Sequence, residues 1–147
     1  MSSYKNILVA IDLTESAELV IRRAQELLLS NQTILTIIHA IDYIPYMGFG
    51  ETALITPTYT IPNEELINNA RQPIDALLKK LDLENIQVIY EFGNAANEIV
   101  QYADDNNVDL IVLGSHGRHG AKLLLGSTAN AVLHHASCDV LAVRIKE

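Results

Sequence analysis

Several features common in other classes of protein are scarce in this chain, and each scarcity excludes something. Cys138 is the only cysteine, so no intramolecular disulfide can form and a reducing compartment is expected. No apolar run approaches the roughly 18 residues of a membrane span. Ten basic and eighteen acidic residues give a net charge of −8, without a cluster of lysine or arginine. We therefore expect neither nucleic acid nor a membrane surface as a partner.

Two common signatures of nucleotide-binding proteins are also absent. Ser127 stands where a P-loop requires lysine, and no Gly-x-Gly-x-x-Gly motif occupies the first strand–helix turn. The N-terminal residues MSSYKN lack the apolar core of a signal peptide, which predicts a cytoplasmic protein. Apolar residues make up 49% of the chain, enough for one well-filled core, and predict a single domain over residues 1–147.

Short apolar runs alternate with amphipathic stretches along the chain. Runs of strand length lie at residues 7–11, 34–41, 86–90, 108–113 and 140–145. Helical periodicity occupies residues 17–28, 64–81, 95–106 and 127–136. This alternation predicts an α/β fold: a five-stranded, mostly parallel, doubly wound sheet of flavodoxin-like size, with helices on both faces.

Local signals predict where these elements begin and end. Thr14 or Ser16 is predicted to cap the first helix, which would stop at residues 30–31. Pro73 predicts a kink or a break in the second helix. Residues 91–94 are predicted to form a turn that caps the third helix. Ser127 is the predicted cap of the fourth helix, whose apolar stripe includes Leu133.

One connection is unusually long for a compact domain. Residues 42–62 hold three of the four prolines, two glycines and three of the six tyrosines. Long irregular loops of this kind often act as lids or contact partners. We therefore interpret residues 42–62 as a lid or a partner surface.

The glycines after the fourth strand suggest an anion site. Gly114, Gly117 and Gly126 would let backbone N–H groups approach a ligand, and the helix that begins near Ser127 would offer unpaired N–H donors. Phosphate fits such a site, although glycines between a strand and a helix also serve tight turns. In a doubly wound sheet the ends of the first and fourth strands meet in one crevice, so Asp12 and Gly114 are expected to face each other there.

Four stretches resemble the universal stress protein family over essentially the whole chain: YKNILVAIDLTESAELVI, IHAID, GNAANEIV and VDLIVLGSHGRHGAKLLLGSTANAVLHHASCDVLAVR. The resemblance implies a fold like that of the adenine nucleotide alpha hydrolases. Nucleotide-binding members carry Gly-x-x-Gly, nine residues, and then Gly-Ser/Thr. Here eight residues, 118–125, separate the two halves.

The resemblance implies ATP with Mg²⁺ as the ligand and assigns a role to each matching residue. Ala10 and the backbone of Ala40 would contact the adenine, and Leu113 would pack near the base. Asp12 would lie by the ribose or a phosphate-bound Mg²⁺. Gly114 and Gly117 would leave room for the sugar and phosphates. Gly126, Ser127 and Thr128 would donate to the terminal phosphates.

Two functions follow from the resemblance. The first is a small ATP-binding regulator of the stress response, a homodimer paired through its last strand from Val140 to Ile145. The alternative is a nucleotide-free stress protein of the family's founding type, which acts through protein contacts. An enzyme is not expected, because no pair of carboxylates and no Ser-His-Asp pattern lies near the glycines, although slow ATP hydrolysis or autophosphorylation is compatible with the site.

The histidines and the cysteine are given structural interpretations. His134 and His135 lie about 100° apart on a helix, off its apolar stripe, and are predicted to be solvated rather than to bind a metal. His39 lies in an apolar strand and is predicted to be a buried, hydrogen-bonded histidine. Cys138 is predicted to be a small core residue rather than a nucleophile.

Overall fold

The computed structural model describes residues 4–28, 31–42, 63–116 and 125–145. Nearly all of the long 42–62 connection, together with Gly117, Arg118 and His119, lies outside these residues. In the described part of the chain, no helix has the length and hydropathy needed to cross a membrane.

Five strands and four helices alternate in the described residues. The strands are β1 (Asn6–Ala10), β2 (Ile34–Ile41), β3 (Gln87–Phe92), β4 (Leu110–Gly114) and β5 (Asp139–Val143). The helices are α1 (Ser16–Gln25), α2 (Asn63–Lys80), α3 (Ala95–Asp105) and α4 (Ser127–His135).

The sheet is entirely parallel, with the strand order β3-β2-β1-β4-β5. Its central strand, β1, pairs with β2 on one side and with β4 on the other, so that Ala10 is the register partner of both Ile38 and Leu113. The strand order reverses at β1, and the ends of β1 and β4 are neighbours as predicted.

Helices cover both faces of the sheet, which confirms the predicted α/β architecture. Alternate residues of β1 point to opposite faces: Ile7 and Val9 join the core under α1 and α2, whereas Leu8 and Ala10 join the core under α3 and α4. All four side chains are at most 8% exposed. The central strands are apolar on both faces because neither face meets water.

The predicted break at Pro73 is wrong. Helix α2 runs without interruption from Asn63 to Lys80, although the proline cannot donate a hydrogen bond and costs about 3 kcal/mol in a helix interior. Pro73 lies on the exposed side, and the next residues on the buried side are Ile74 at 2% and Leu78 at 4% exposure. Burying each of these side chains contributes roughly 1.5–3 kcal/mol, which offsets the cost.

The observed ends of α1 and α4 differ from the predicted ones in three respects. Ser127 is the first helical residue of α4 rather than its cap, because Gly126 is the flanking residue, with φ −61° and ψ 157°. Neither Thr14 nor Ser16 caps α1, whose flanking residue is Glu15, without a side-chain cap. Helix α1 ends at Gln25. From Leu27 the backbone hydrogen bonds join residues three positions apart, such as Leu27 N–H to Ala24 C=O, instead of the four positions of an α-helix.

Other predictions differ in smaller ways. The predicted turn at 91–94 is shorter, because β3 continues to Phe92, paired with Ile41. Asn94 does cap α3, accepting the N–H of Asn97 at 3.1 Å. Leu133 is 45% exposed and does not belong to the buried stripe of α4, which consists of Ala129 and Val132.

Candidate functional site

A cavity of about 810 Å³ opens at the carboxyl ends of the central strands. This volume lies within the 300–1,000 Å³ usual for small-molecule sites. The ends of β1, β2 and β4 form its floor, and the first turns of α1 and α4 form two of its walls. The cavity therefore occupies the crevice where the strand order reverses, which is the usual ligand position in such sheets.

Eight of the nine predicted site residues line this one cavity. They are Ala10, Asp12, Ala40, Leu113, Gly114, Gly126, Ser127 and Thr128. The ninth, Gly117, lies outside the described residues. The fold thus brings together side chains that are separated by more than a hundred positions in the sequence.

Asp12 is held at the cavity by the segment that leads into α1. Its Oδ1 atom accepts the Thr14 N–H at 3.0 Å and also the Thr14 hydroxyl. The Thr14 hydroxyl lies 2.7 Å from that of Ser16. These bonds explain why Thr14 does not cap the helix, because its hydroxyl is engaged with the aspartate. They also fix the direction in which the Asp12 carboxylate faces.

His39 is a buried, hydrogen-bonded histidine, as predicted. The residue is 8% exposed, and its Nδ1 atom lies 2.9 Å from the carbonyl oxygen of Ile11. Because a carbonyl oxygen only accepts, Nδ1 carries the hydrogen of this bond. Sequence reasoning did not place His39 at the site, yet it lines the cavity on the β2 side.

The two described glycines of the loop are not required by the backbone. Gly126 has φ −61°, which any residue adopts, and Gly114 is absent from the positive-φ glycines among the described residues. A Cβ at Gly114 would meet the Ile145 side chain at 3.4 Å, an ordinary contact. A tight turn therefore explains neither glycine, and packing among the described residues does not explain Gly114, whereas room for a ligand would.

The entry of α4 offers unpaired donors to the cavity. The first intrahelical bond joins the N–H of Asn130 to the carbonyl of Gly126 at 2.9 Å. By helix geometry, the N–H groups of Ser127, Thr128 and Ala129 have no acceptor within the helix. The first turn contains no acidic residue. Its partial positive charge of roughly +0.5 is thus left uncompensated by its own side chains.

The backbone N–H of Gly126 already has a hydrogen-bond partner in the protein. It donates to the carbonyl of Ser115 at 2.6 Å, which joins the two ends of the intervening loop. The expectation that all three of Gly126, Ser127 and Thr128 donate to phosphate is therefore corrected for Gly126, whose N–H already has a partner.

Ser115 is another residue of the cavity that sequence reasoning missed. It is 7% exposed, and its N–H donates to the carbonyl of Val143 at 2.8 Å. Its hydroxyl oxygen accepts the N–H of Ile145 at 3.1 Å and lies 2.9 Å from Nδ1 of His116. A serine between the last strand residue, Gly114, and His116 was the only signal, and it gives no hint of partners about thirty residues away.

Comparison with known proteins decides the family. The model of the universal stress protein family matches residues 3–144. Universal stress protein A homolog 2 of Coxiella burnetii is 39% identical over 149 residues, covering 99% of each chain. This chain belongs to the universal stress protein family.

Two solved structures share the fold of this universal stress protein. Universal stress protein UspA from Lactobacillus plantarum is 26% identical, covers 98% of this chain and 100% of its own, and superimposes with a TM-score of 0.75. A universal stress protein solved in complex with cAMP is 23% identical over 97% of this chain and 98% of its own, with a TM-score of 0.61. At that identity the second likeness shows the fold alone.

The charge of the cavity in this universal stress protein is negative. Among the described lining residues, Asp12 and Asp42 are acidic and none is lysine or arginine. Among the described residues, an anionic ligand would therefore meet positive potential at the helix entries, or from a cation bound with it.

His116 also lines the cavity of this universal stress protein, whereas His134, His135 and Cys138 are not among its described lining residues. His134 and His135 are exposed on α4, as predicted. Cys138 packs against the core under α3 and α4, and burial raises the pKa of its thiol. A raised pKa disfavours the thiolate, which agrees with a structural role.

Proposed function

We propose that this universal stress protein binds ATP together with Mg²⁺ and acts as a small regulator of the stress response. The observation that carries the proposal is that Gly114 and Gly126 both line the cavity although the backbone angles of neither require glycine, and a Cβ at Gly114 would make only ordinary contacts with the described residues. Glycine at such positions permits close approach of a ligand to the backbone.

The phosphates bind at the entry of α4 in this proposal. The N–H groups of Ser127 and Thr128 are available to them, whereas that of Gly126 is held by Ser115. Gly117, outside the described residues, remains a predicted phosphate contact. Since the described lining has no basic side chain, Mg²⁺ supplies the positive charge that the triphosphate needs.

The base and the ribose bind toward β1 and β2. Ala10 and Leu113 are register partners at the floor of the cavity and offer an apolar surface for the adenine. The backbone of Ala40 is its predicted polar contact. Asp12, whose Oδ1 is engaged by Thr14, presents its second oxygen to the ribose hydroxyls or to the metal.

The protein pairs as a homodimer through β5 in this proposal. Strand β5 lies at the edge of the sheet, with only β4 beside it among the described strands. Its residues Val140, Leu141 and Ala142 are partly exposed. An apolar edge strand readily adds another strand, and a second copy of β5 supplies one.

The same site supports a binding protein rather than an enzyme. Any ATP hydrolysis or autophosphorylation at this site is slow in this proposal. A cytoplasmic location fits the single cysteine. The fold also holds cAMP in another universal stress protein, a likeness of fold alone.

The alternative is the nucleotide-free stress protein, and the eight-residue spacing between Gly117 and Gly126 favours it. One residue fewer removes up to about 3.5 Å of reach. Partner proteins, rather than ATP, would then be the ligands.

Calorimetric titration of the nucleotide-stripped protein with Mg-ATP tests the proposal. We expect one site per chain, lost in Gly126→Val, since valine tolerates the observed backbone angles but fills space at the phosphates. Ser137→Val, at an exposed position beyond α4, is the matched control and should bind normally. Absence of heat at millimolar Mg-ATP, with the fold intact, would favour the nucleotide-free alternative.

A further inference from the structure

Ser115 connects two parts of the molecule that the proposed function uses separately. Its carbonyl oxygen holds the N–H of Gly126, the residue that flanks α4. Its N–H holds the carbonyl of Val143, the last residue of β5, and its hydroxyl holds the N–H of Ile145 just beyond. One residue thus bonds to the entry of α4 and, twice, to the end of β5.

These bonds resist separate movement of the two parts. Ser115 is 7% exposed, so a broken bond leaves a buried polar group without a partner. The bond to Gly126 is short, at 2.6 Å, and the bonds to the end of β5 measure 2.8 and 3.1 Å. Gly126 directly precedes Ser127 and Thr128, the proposed phosphate donors, so an ordered Gly126 positions both.

We propose that Ser115 is a positioning residue that couples phosphate binding at the entry of α4 to pairing of β5 with a second copy of the chain. This inference rests on the proposed function. A bound phosphate fixes the N–H groups of Ser127 and Thr128 and so holds Gly126 against Ser115. Ser115 in turn holds the end of β5 through Val143 and Ile145. An edge strand that is already ordered loses less entropy when it pairs.

The coupling has a defined sign and is reciprocal. Mg-ATP strengthens dimerisation, and dimerisation strengthens Mg-ATP binding by the same factor. We expect this factor to be at least about fivefold, the lower end of the usual range for allosteric coupling.

The test is the dimer dissociation constant, measured by sedimentation without and with saturating Mg-ATP. The ratio of the two constants should be at least about fivefold in the unmodified protein. In Ser115→Ala, which loses the hydroxyl that accepts the Ile145 N–H but keeps the backbone bond to Val143, the ratio should fall below that of the unmodified protein. Ser115→Thr keeps the hydroxyl and should restore the ratio. Ser137→Ala, at an exposed serine, is the matched control and should keep it.

A second measurement needs no substitution and covers the case in which Ser115→Ala does not fold. Hydrogen exchange of the Ile145 amide, at a protein concentration where the chain is monomeric, should slow when Mg-ATP binds. A ratio near one in the unmodified protein, an unchanged ratio in Ser115→Ala, or an unaffected Ile145 amide would overturn the coupling while leaving ATP binding intact. Absence of Mg-ATP binding in calorimetry would instead remove the proposed function and the coupling with it.

Discussion

Helices α1 and α4 both begin at the cavity, but their entries differ in charge. Asp12, held by Thr14, lies in the segment that leads into α1, Glu15 flanks the helix, and Glu18 lies in the first turn. The entry of α4 has a glycine as its flanking residue and no acidic residue in its first turn. Carboxylates compensate the partial positive charge at the N-terminus of α1, whereas the same charge at the N-terminus of α4 stays available to an anionic ligand. The comparison indicates why phosphates should bind at α4 and the ribose or Mg²⁺ at Asp12.

The largest effect on Mg-ATP affinity is expected when the entry of α4 is given a carboxylate, as the entry of α1 has. Gly126→Asp places a carboxylate where the phosphates are proposed to bind, and we expect Mg-ATP affinity to fall at least about 100-fold, through charge repulsion and loss of the free N–H donors. Stability should be unchanged or higher by a few tenths of a kcal/mol, because aspartate caps helices well. Calorimetry and thermal unfolding measure the two effects. Retained binding would contradict the assignment of phosphates to α4.

A smaller effect on Mg-ATP affinity is expected from a substitution at the entry of α1. Asp12→Asn keeps an oxygen for Thr14 but removes the charge, and we expect a loss of about tenfold in Mg-ATP affinity, about 1.4 kcal/mol. The loss should disappear in the absence of Mg²⁺ if the carboxylate contacts the metal. The exposed Asp104→Asn on α3 serves as the control. An equal loss with and without Mg²⁺ would assign Asp12 to the ribose instead.

The smallest effect concerns stability at acid pH. Lys80 and Arg22 hydrogen-bond to Glu18 and hold the pKa of its carboxyl below its usual value of 4.5. These ion pairs therefore stabilise the fold above about pH 4.5 and are lost as the pH falls through the lower folded-state pKa. Urea unfolding at pH 7 and pH 3 should show a smaller loss of stability in Glu18→Gln than in the unmodified protein. An equal loss in both proteins would mean that the ion pairs contribute nothing.

Most of the fold could be predicted because its signals are local. Apolar runs in the central strands indicate burial on both faces. The apolar face of α1, with Val20 at 2% and Ile21 at 0% exposure, indicates both that the segment is a helix and which of its sides faces the core. The capping turn before α3 could be predicted because a cap acts locally: Asn94 accepts the N–H of Asn97, only three residues away. The break at Pro73 was predicted wrongly, since the burial that overrides it depends on tertiary packing.

The site was predictable only in part, for a related reason. The resemblance to universal stress proteins named the residues that line the cavity, such as Asp12 and Gly126, but not their bonds. Ser115 was missed because its partners, Gly126 and Ile145, are distant in sequence and are brought close only by the pairing of β4 with β5. The engagement of the Gly126 N–H was not predictable for the same reason.

The most direct measurement is the response of the backbone amides of Ser127 and Thr128 to Mg-ATP in nitrogen-15-labelled protein. If the phosphates bind at the entry of α4, both amide resonances shift saturably with one binding constant, while amides in the last turn of α1, such as that of Arg22, do not respond. Unmoved Ser127 and Thr128 resonances at millimolar Mg-ATP, with the protein folded, would contradict a phosphate site at this helix.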